Sequence, residues 1–390
     1  MQSSTAWFSH ISEIKMHFFI SAGEASGDIH AADLIKELRQ ADPDATFTFL
    51  GGDLMAASAG HGPLIHYRDM AFMGFVDVAM NLRKVLGNLS TAKEALKAVK
   101  PDCLILVDYP SFNLKLAETA YERGIPVYYY ISPKVWAWKE NRLKPMKKLI
   151  KRIFSILPFE TEYFARKGFE VKYVGNPSLH EVDRKLAALP NEKEFRQKHN
   201  LDSHPIIALL PGSRVGEIKD NLPVMARAAA SFKSCQPVIA ASPAIDTELY
   251  RTLAPGIKFV TDSTFELVAF ARAAVVTSGT ATLEAALIGT PEVVVYRSVG
   301  SKIVYGIFER ILKIPYVSLP NLIMDKKIVT ELLLHQCTAR AIQEQLIPLI
   351  NDTPGRRRML ENYAGMRRRL GTSDPAKEAA RTIVNDLKQS

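Results

Sequence analysis

The chain has 390 residues, of which 47% are hydrophobic and 23% charged, and it carries a formal net charge of +9. This composition excludes a disordered chain and allows two domains with separate cores. The three cysteines, Cys103, Cys235 and Cys337, lack metal-ligand spacing, so we expect reduced thiols in a cytosolic compartment and no metal site. No run of eighteen apolar residues occurs, which excludes a membrane-spanning helix.

Two basic clusters hold most of the positive charge. Residues 134–152 contain eight basic residues and one acidic residue, and residues 355–390 contain nine basic and four acidic residues. Such clusters are typical of surfaces that bind nucleic acid, anionic lipid or phosphorylated substrates, and also of ordinary solvated faces. The sequence has no helix-turn-helix, RNA-recognition or zinc pattern, which disfavours nucleic acid.

The first strand and the turn after it open the folded part of the chain. Residues 1–15 are expected to form a loose extension, with Met16 as an alternative start. Residues 17–20 predict a strand, and residues 21–28 turn it into a helix from about Ile29 to Arg39. The turn has the spacing G-x-x-x-G, which differs from the dinucleotide pattern and does not indicate NAD.

An apolar segment at residues 71–86 is flanked by polar loops and ends near Arg83 and Lys84. Its large side chains recur close to the helical period. Two interpretations stand: a core helix, or a segment that lies in a membrane interface or contacts acyl chains. The second interpretation assigns acyl or membrane contacts to Phe72, Met73, Phe75, Val76, Met80 and Leu82.

The clearest buried strand, residues 103–107, ends in Asp108. Ligands of open α/β sheets bind beyond the carboxyl ends of the strands, so Asp108 stands where a general base would work. The alternative is a helix cap. After the next strand, Trp136 and Trp138 either face a sugar or lipid phosphate or pack internally.

A second series of α/β units follows a crossing at residues 175–177. The strand at 206–210 leads into Pro211-Gly212-Ser213-Arg214, where an arginine can bind phosphate oxygens. Residues 274–296 then predict a strand, a turn of small residues, a helix and another strand. The start of this helix suits a pyrophosphate, and Glu284 one turn in suits a ribose. The alternative is a capped helix with a surface glutamate.

Five segments in this order resemble the lipid-A-disaccharide synthase family, which consists of inverting glycosyltransferases of the GT-B class. The resemblance runs from about Met16 to the C-terminus. Its carriers are SAGEASGD at 21–28, SPKVWAW at 132–138, LPGSR at 210–214 with Glu217-Ile218, SGTATLE at 278–284, and YVSLPN at 316–321.

The resemblance implies an α/β fold with two Rossmann-like domains facing a cleft. We expect residues 16–175 to form the acceptor and membrane-facing domain and residues 176–350 the UDP-sugar domain. Residues 351–390 are expected to form basic helices that pack back on the first domain.

The resemblance also implies a reaction and its site residues. The family joins UDP-2,3-diacylglucosamine to 2,3-diacylglucosamine 1-phosphate, giving the β-1,6-linked lipid A disaccharide and UDP without a metal or other cofactor. Asp108 matches the proposed general base. The acceptor side matches Glu24, Ser26 and Gly27, and the UDP side matches Arg214, Ser278, Gly279, Thr280, Glu284 and Asn321.

The expected partners are the two acylated sugars and an anionic membrane surface. The protein is expected to be peripheral on the cytoplasmic face of the inner membrane. A homodimer is a possible assembly. Ser111 stands where the family often has an acidic residue, and Leu334 replaces a usual glutamine. The second departure leaves open the role of Glu331 on an expected helix. A UDP-N-acetylglucosamine 2-epimerase-like enzyme is the alternative function.

Overall fold

Two parallel β-sheets organise the chain. The structure, a computed structural model, describes residues 15–70, 82–138, 140–297 and 315–389. Every neighbouring strand pair in these ranges is parallel. Parallel strands need crossover connections, and helices supply them here.

The first sheet has seven strands in the order β3-β2-β1-β4-β5-β6-β7. Its strands are β1 His17–Ala22, β2 Thr46–Gly51, β3 Ile65–His66, β4 Cys103–Val107, β5 Val127–Tyr130, β6 Arg152–Ser155 and β7 Val171–Tyr173. The helices of this half are α1 Ala25–Ala41, α2 Asp53–Ala59, α3 Leu82–Val99, α4 Pro110–Glu122, α5 Val135–Trp138, α6 Leu143–Leu149, α7 Pro158–Arg166 and α8 Pro177–Ala187.

The second sheet has six strands in the order β10-β9-β8-β11-β12-β13. Its strands are β8 Ile206–Leu210, β9 Gln236–Ala241, β10 Lys258–Thr261, β11 Ala271–Thr277, β12 Glu292–Tyr296 and β13 Thr330–Leu333. The remaining helices are α9 Glu192–Lys198, α10 Val215–Ala229, α11 Thr247–Leu253, α12 Thr264–Ala269, α13 Thr280–Ile288, α14 Leu319–Met324, α15 Ala339–Ile350, α16 Pro354–Leu370 and α17 Pro375–Lys388.

The central strands form because their residues are apolar on both faces. All five residues of β4 and all five of β8 are buried. A strand covered by helices on both sides needs such a continuous apolar run. This explains why the sequence pattern located both strands.

The strand order reverses once in each sheet, between β1 and β4 and between β8 and β11. Loops that leave two neighbouring strands at such a point diverge and open a crevice. Glu24 and Asp108 follow the first pair of strands, and Arg214 and Ser278 follow the second pair. The fold therefore gathers the predicted site residues at its two switch points.

The last helix returns to the first sheet. Ala380 and Ile383 of α17 are buried in one core cluster with Phe18 of β1, and Asp386 pairs with Arg152 of β6 at 2.9 Å. The two segments that connect the halves, one at Gly175 and one at Ser373, lie in close contact. A Cβ atom added to Gly175 would lie only 2.1 Å from the Ser373 carbonyl oxygen.

Several elements differ from the sequence expectation. Helix α1 begins at Ala25 rather than near Ile29. Glu331, expected on a helix, lies on strand β13, because the run from Ile328 to Thr330 is β-branched and adds to the sheet beside β12. None of the helices in the described ranges is long and apolar enough to cross a membrane.

Candidate active site

Asp108 stands at a strained turn directly after β4. Asp108 and Tyr109 both have positive φ angles, of 43° and 46°, which non-glycine residues rarely adopt. The main-chain oxygen of Asp108 accepts hydrogen bonds from the Tyr129 hydroxyl at 2.6 Å and from Asn113 Nδ2 at 2.7 Å. These bonds hold the turn in its unusual conformation and so fix the direction of the Asp108 side chain.

The carboxyl groups of Glu24 and Asp108 lie next to each other, and each influences the ionisation of the other. Glu24 precedes α1 but does not cap it, so its carboxyl group is available for this contact. Burial and the neighbouring Asp108 raise the pKa of Glu24, and burial raises the pKa of Asp108. Two adjacent carboxyl groups with raised pKa values favour a state in which one of them holds a proton.

Two cationic side chains and one histidine act on this pair. Lys134, after β5, lowers the pKa of both carboxyl groups, and His30 of α1 lowers that of Asp108. Arg214 belongs to the second half of the chain, and its charge lowers the pKa of Glu24. The two halves thus face each other across the carboxyl pair.

Arg214 is positioned by the turn between β8 and α10. Its Nη1 donates to Glu217 Oε1 at 3.2 Å, and Glu217 Oε2 accepts from the Ser213 amide at 3.2 Å. A Cβ on Gly212, whose φ is 108°, would meet Glu217 Oε2 at 2.6 Å. Because Gly212 has no Cβ atom, the turn can pack against the Glu217 side chain. The Arg214 side chain is 67% exposed and accessible to a ligand.

The start of α13 forms a second polar surface. Gly279 precedes the helix without a capping side chain, and Gly279 and Thr280 are exposed. Free amide groups at a helix start bind anions. Glu284 is half-buried one turn later. Burial is the larger cause that raises its pKa, and the neighbouring Glu181 is the smaller one.

The side chain of Asn321, an expected nucleotide contact, is held by internal hydrogen bonds. It is fully buried, its Nδ2 donates to Val329 O and Glu331 Oε1, and its Oδ1 accepts from the Ile328 and Val329 amides. An asparagine amide with two donated and two accepted bonds has no capacity left for a ligand. The side chain holds the loop before α14 in place.

Glu331 anchors the same loop, which sequence reasoning missed. Its carboxylate accepts hydrogen bonds from the Ser318 amide at 2.9 Å, the Ser318 hydroxyl at 2.6 Å and Asn321 Nδ2 at 2.9 Å. The loop in turn contacts the helix start, since Ser278 Oγ donates to Val317 O at 3.4 Å. Glu331 therefore acts on the candidate nucleotide surface through the loop.

On the acceptor side, Ser26 is exposed and Gly27 is buried, and a Cβ on Gly27 would lie 3.2 Å from the Ala22 Cβ. Gly27 lets α1 approach the end of β1. Ser111, at the first departure from the family pattern, accepts a hydrogen bond from Arg142 Nη2 at 2.7 Å.

The predicted acyl segment lies mostly outside the described residues: Phe72, Met73, Phe75, Val76 and Met80 all fall at 71–81. Leu82 begins α3. The residues flanking the segment are close together, because Lys84 pairs with Asp69 at 2.8 Å. The Met70 carbonyl oxygen accepts from the Tyr109 hydroxyl at 2.8 Å, so Met70, the last described residue before the segment, lies beside the Asp108 turn.

Trp136 packs internally, which decides between its two interpretations. It is 9% exposed, its ring meets Phe159 edge-on at 5.0 Å, and its Nε1 donates to Glu160 at 2.8 Å. Within the described ranges, no cluster of three or more histidine, cysteine, aspartate or glutamate side chains is placed to hold a metal ion.

Comparison with known proteins identifies the family of this chain. The sequence profile described as lipid-A-disaccharide synthetase matches residues 18–381. The chain belongs to the lipid-A-disaccharide synthase family. The synthase of Myxococcus xanthus is 39% identical over 377 residues, which cover 94% of this chain and 97% of that protein. The synthase of Syntrophus aciditrophicus is 35% identical over 380 residues, which cover 95% and 98%.

Solved structures share the GT-B fold. A glycotransferase of kitacinnamycin matches with a TM-score of 0.63 at 14% identity, covering 96% of this chain and all of that one. The UDP-GlcNAc 2-epimerase of Neisseria meningitidis matches with a TM-score of 0.59 at 16% identity, with the same coverage. At such identity the likeness shows the fold alone. The family, not the epimerase fold, decides the activity: this member of the lipid-A-disaccharide synthase family is a glycosyltransferase that uses a UDP-sugar and a lipid acceptor.

Proposed function

We propose that this synthase transfers 2,3-diacylglucosamine from UDP to the 6-hydroxyl of 2,3-diacylglucosamine 1-phosphate, with inversion at the anomeric carbon and without a metal ion. The observation that carries the proposal is the Asp108–Glu24 carboxyl pair, which faces Arg214 of the other half. An acidic pair opposite a phosphate-binding cation suits proton abstraction beside a leaving diphosphate.

Asp108 is the general base of the proposed reaction. Its carboxylate takes the proton from the acceptor 6-hydroxyl while that oxygen attacks the anomeric carbon. The bond from the anomeric carbon to the phosphate oxygen breaks, and its electron pair leaves with UDP. Attack opposite the leaving group inverts the configuration. Protonated Glu24 donates a hydrogen bond to Asp108, and Ser26 and Gly27 line the acceptor side beside it.

The second half neutralises the charge that develops on UDP. The amide groups at the start of α13, with Ser278, Gly279 and Thr280, receive the diphosphate, and Arg214 pairs with its oxygens. Glu284 hydrogen-bonds to the ribose. Asn321 and Glu331 keep the neighbouring loop rigid. The positive charges supplied by the protein take the place of a divalent cation in this proposal.

Both substrates carry acyl chains, so we place the enzyme on an anionic membrane surface at the cytoplasmic face of the inner membrane. Arg83 and Leu86, at the C-terminal end of the apolar segment, are exposed, and Leu86 is 49% accessible. A cation beside an exposed apolar side chain is typical of interfacial helices. The basic clusters at 134–152 and 355–390 would add attraction to anionic lipid.

The direct test is chromatographic detection of the disaccharide 1-phosphate. The enzyme is incubated in mixed micelles with UDP-2,3-diacylglucosamine and 2,3-diacylglucosamine 1-phosphate, with and without EDTA. We expect equal product in both reactions. Product that disappears with EDTA contradicts the metal-independent mechanism, and a lack of product in both reactions from an enzyme that still binds UDP contradicts the proposed substrates.

A further inference from the structure

One buried carboxyl group, Glu160 of α7, holds both ends of the segment that follows β5. Glu160 is 1% exposed. Its Oε2 accepts from the Ser132 hydroxyl at 2.7 Å, and its Oε1 accepts from Trp136 Nε1 at 2.8 Å. The Ser155 hydroxyl also donates to Oε2. A carboxylate with three donors inside a core is a rigid anchor.

Lys134 lies midway between these two anchored residues. Ser132, Val135 and Trp136 are buried, whereas Lys134 is exposed. Ile131, at the start of the segment, has a φ of 64°, so the chain turns sharply out of the sheet there. The anchored turn therefore presents Lys134 outward while its neighbours remain fixed.

The sheet places this turn beside the catalytic carboxyl groups. Strands β4 and β5 are paired with Val107 opposite Tyr130, and β1 is paired with β4 with Ala22 opposite Val107. The segments carrying Glu24, Asp108 and Lys134 thus leave three adjacent strands at the same edge. An ammonium at this position acts on both carboxyl groups of the pair.

We propose that Lys134 keeps Asp108 ionised for proton abstraction and that Glu160 is the positioning residue that fixes Lys134 in place. This inference rests on the proposed role of Asp108 as general base. It assigns a function to a buried glutamate outside the substrate cleft.

The electrostatic surroundings of Asp108 support this assignment. Burial raises the pKa of Asp108, and Lys134 exerts the largest opposing influence, followed by the bonds from Glu24 and the Tyr109 amide and by the charge of His30. Tyr129 also faces Asp108. The pKa of Glu24 is lowered by Lys134 first and by Arg214 second. Removal of Lys134 should therefore make Asp108 harder to ionise.

The test compares the pH dependence of kcat/KM in Lys134→Met, Lys134→Arg and the control Lys144→Met, an exposed lysine of the same cluster. In Lys134→Met we expect the acidic limb to move up by about half to one pH unit, as a partly screened charge at short range allows. Lys134→Arg and Lys144→Met should both keep the acidic limb at its wild-type position.

The positioning role has its own measurement. Glu160→Ala should move the acidic limb in the same direction, and the double variant with Lys134→Met should show no further shift. If Glu160→Ala fails to fold, Ser132→Ala with Trp136→Phe removes the same two bonds from the side of the loop. An additive shift in the double variant overturns the role of Glu160.

The outcomes also separate this inference from the proposed function. Substantial turnover by Asp108→Asn would show that the general-base assignment itself fails. If Asp108→Asn is inactive but the acidic limb of Lys134→Met stays in place, or Lys144→Met moves it equally, only the inference about Lys134 is overturned.

Discussion

Asn113 Nδ2 donates a hydrogen bond of 2.7 Å to the main-chain oxygen of Asp108. Asn113 is fully buried, and its Oδ1 accepts from the Ser21 hydroxyl at 2.7 Å. One amide side chain therefore ties the end of β1 to the strained turn that carries the proposed base. The position of the Asp108 carboxylate depends on this link.

Asn113→Ala should lower kcat more than it raises KM. The base would lose its fixed position, and a displacement of about 1 Å costs on the order of 100-fold in rate. The free energy of unfolding should fall by about 1–3 kcal/mol, because the Ser21 hydroxyl and the Asp108 carbonyl lose a buried partner. Steady-state kinetics and urea unfolding measure both effects. The exposed Asn141→Ala is the matched control, and an unchanged kcat in Asn113→Ala contradicts the positioning role.

Glu331→Ala should weaken binding of the UDP-sugar, with KM raised by at least about tenfold, an effect of ~1.4 kcal/mol. The variant leaves the Ser318 amide, the Ser318 hydroxyl and Asn321 Nδ2 without their acceptor, so the loop beside Ser278 loses its anchor. Initial rates at varied UDP-sugar concentration measure the change. Glu344→Ala, which removes an exposed pair with Arg340, should behave like the wild type. Equal KM values for both variants would argue against the loop as part of the nucleotide surface.

Glu292 should make the protein less stable as pH rises. Its carboxyl group is fully buried beside Tyr363 of α16, and burial raises its pKa well above the ordinary value. It stays protonated in the folded state at a pH where the unfolded chain is ionised, so unfolding releases a proton. The stability that the protonated Glu292 contributes is fully present below the pKa that this group has in the unfolded chain. It is lost as pH increases towards the higher pKa that the group has in the folded protein.

Glu292→Met removes the buried carboxyl group and with it the loss of stability at high pH. Unfolding in urea at pH 8 should show the variant more stable than the wild type by about 1–3 kcal/mol, because a buried polar group without good partners is replaced by an apolar one. At pH 5 the difference should be smaller. Parallel stability curves for the two proteins between pH 5 and pH 8 would mean that Glu292 is not the titrating group.

The sequence located the strands that carry the candidate site well, because these strands follow from local patterns. The apolar runs of β4 and β8 and the small residues before α13 are visible along the chain. The rule that ligands bind beyond the carboxyl ends of strands then indicates Asp108 as a site residue. The GT-B fold and the family were predicted from the same segments, and both are confirmed.

The tertiary partners of the site were not predictable in the same way. Glu160 reaches back to Ser132, 28 residues earlier, and only the folded sheet brings them together. Glu331 is expected in a mainly helical part of the chain, but it lies on a strand, which the β-branched residues before it favour. Asn321 belongs to a family motif, but its burial and its four internal hydrogen bonds show a structural role that a motif cannot distinguish from ligand contact.

The measurement that tests the account most directly is turnover by Asp108→Asn, with UDP binding measured on the same preparation. The amide has the size of the carboxylate but cannot take a proton at neutral pH, so we predict a loss of at least about 100-fold in kcat. UDP affinity should stay unchanged, because Arg214 and the start of α13 lie on the other half of the chain. The exposed Asp44→Asn is the control. Near-normal turnover by Asp108→Asn, with UDP still bound, would contradict the assignment of Asp108 as the general base.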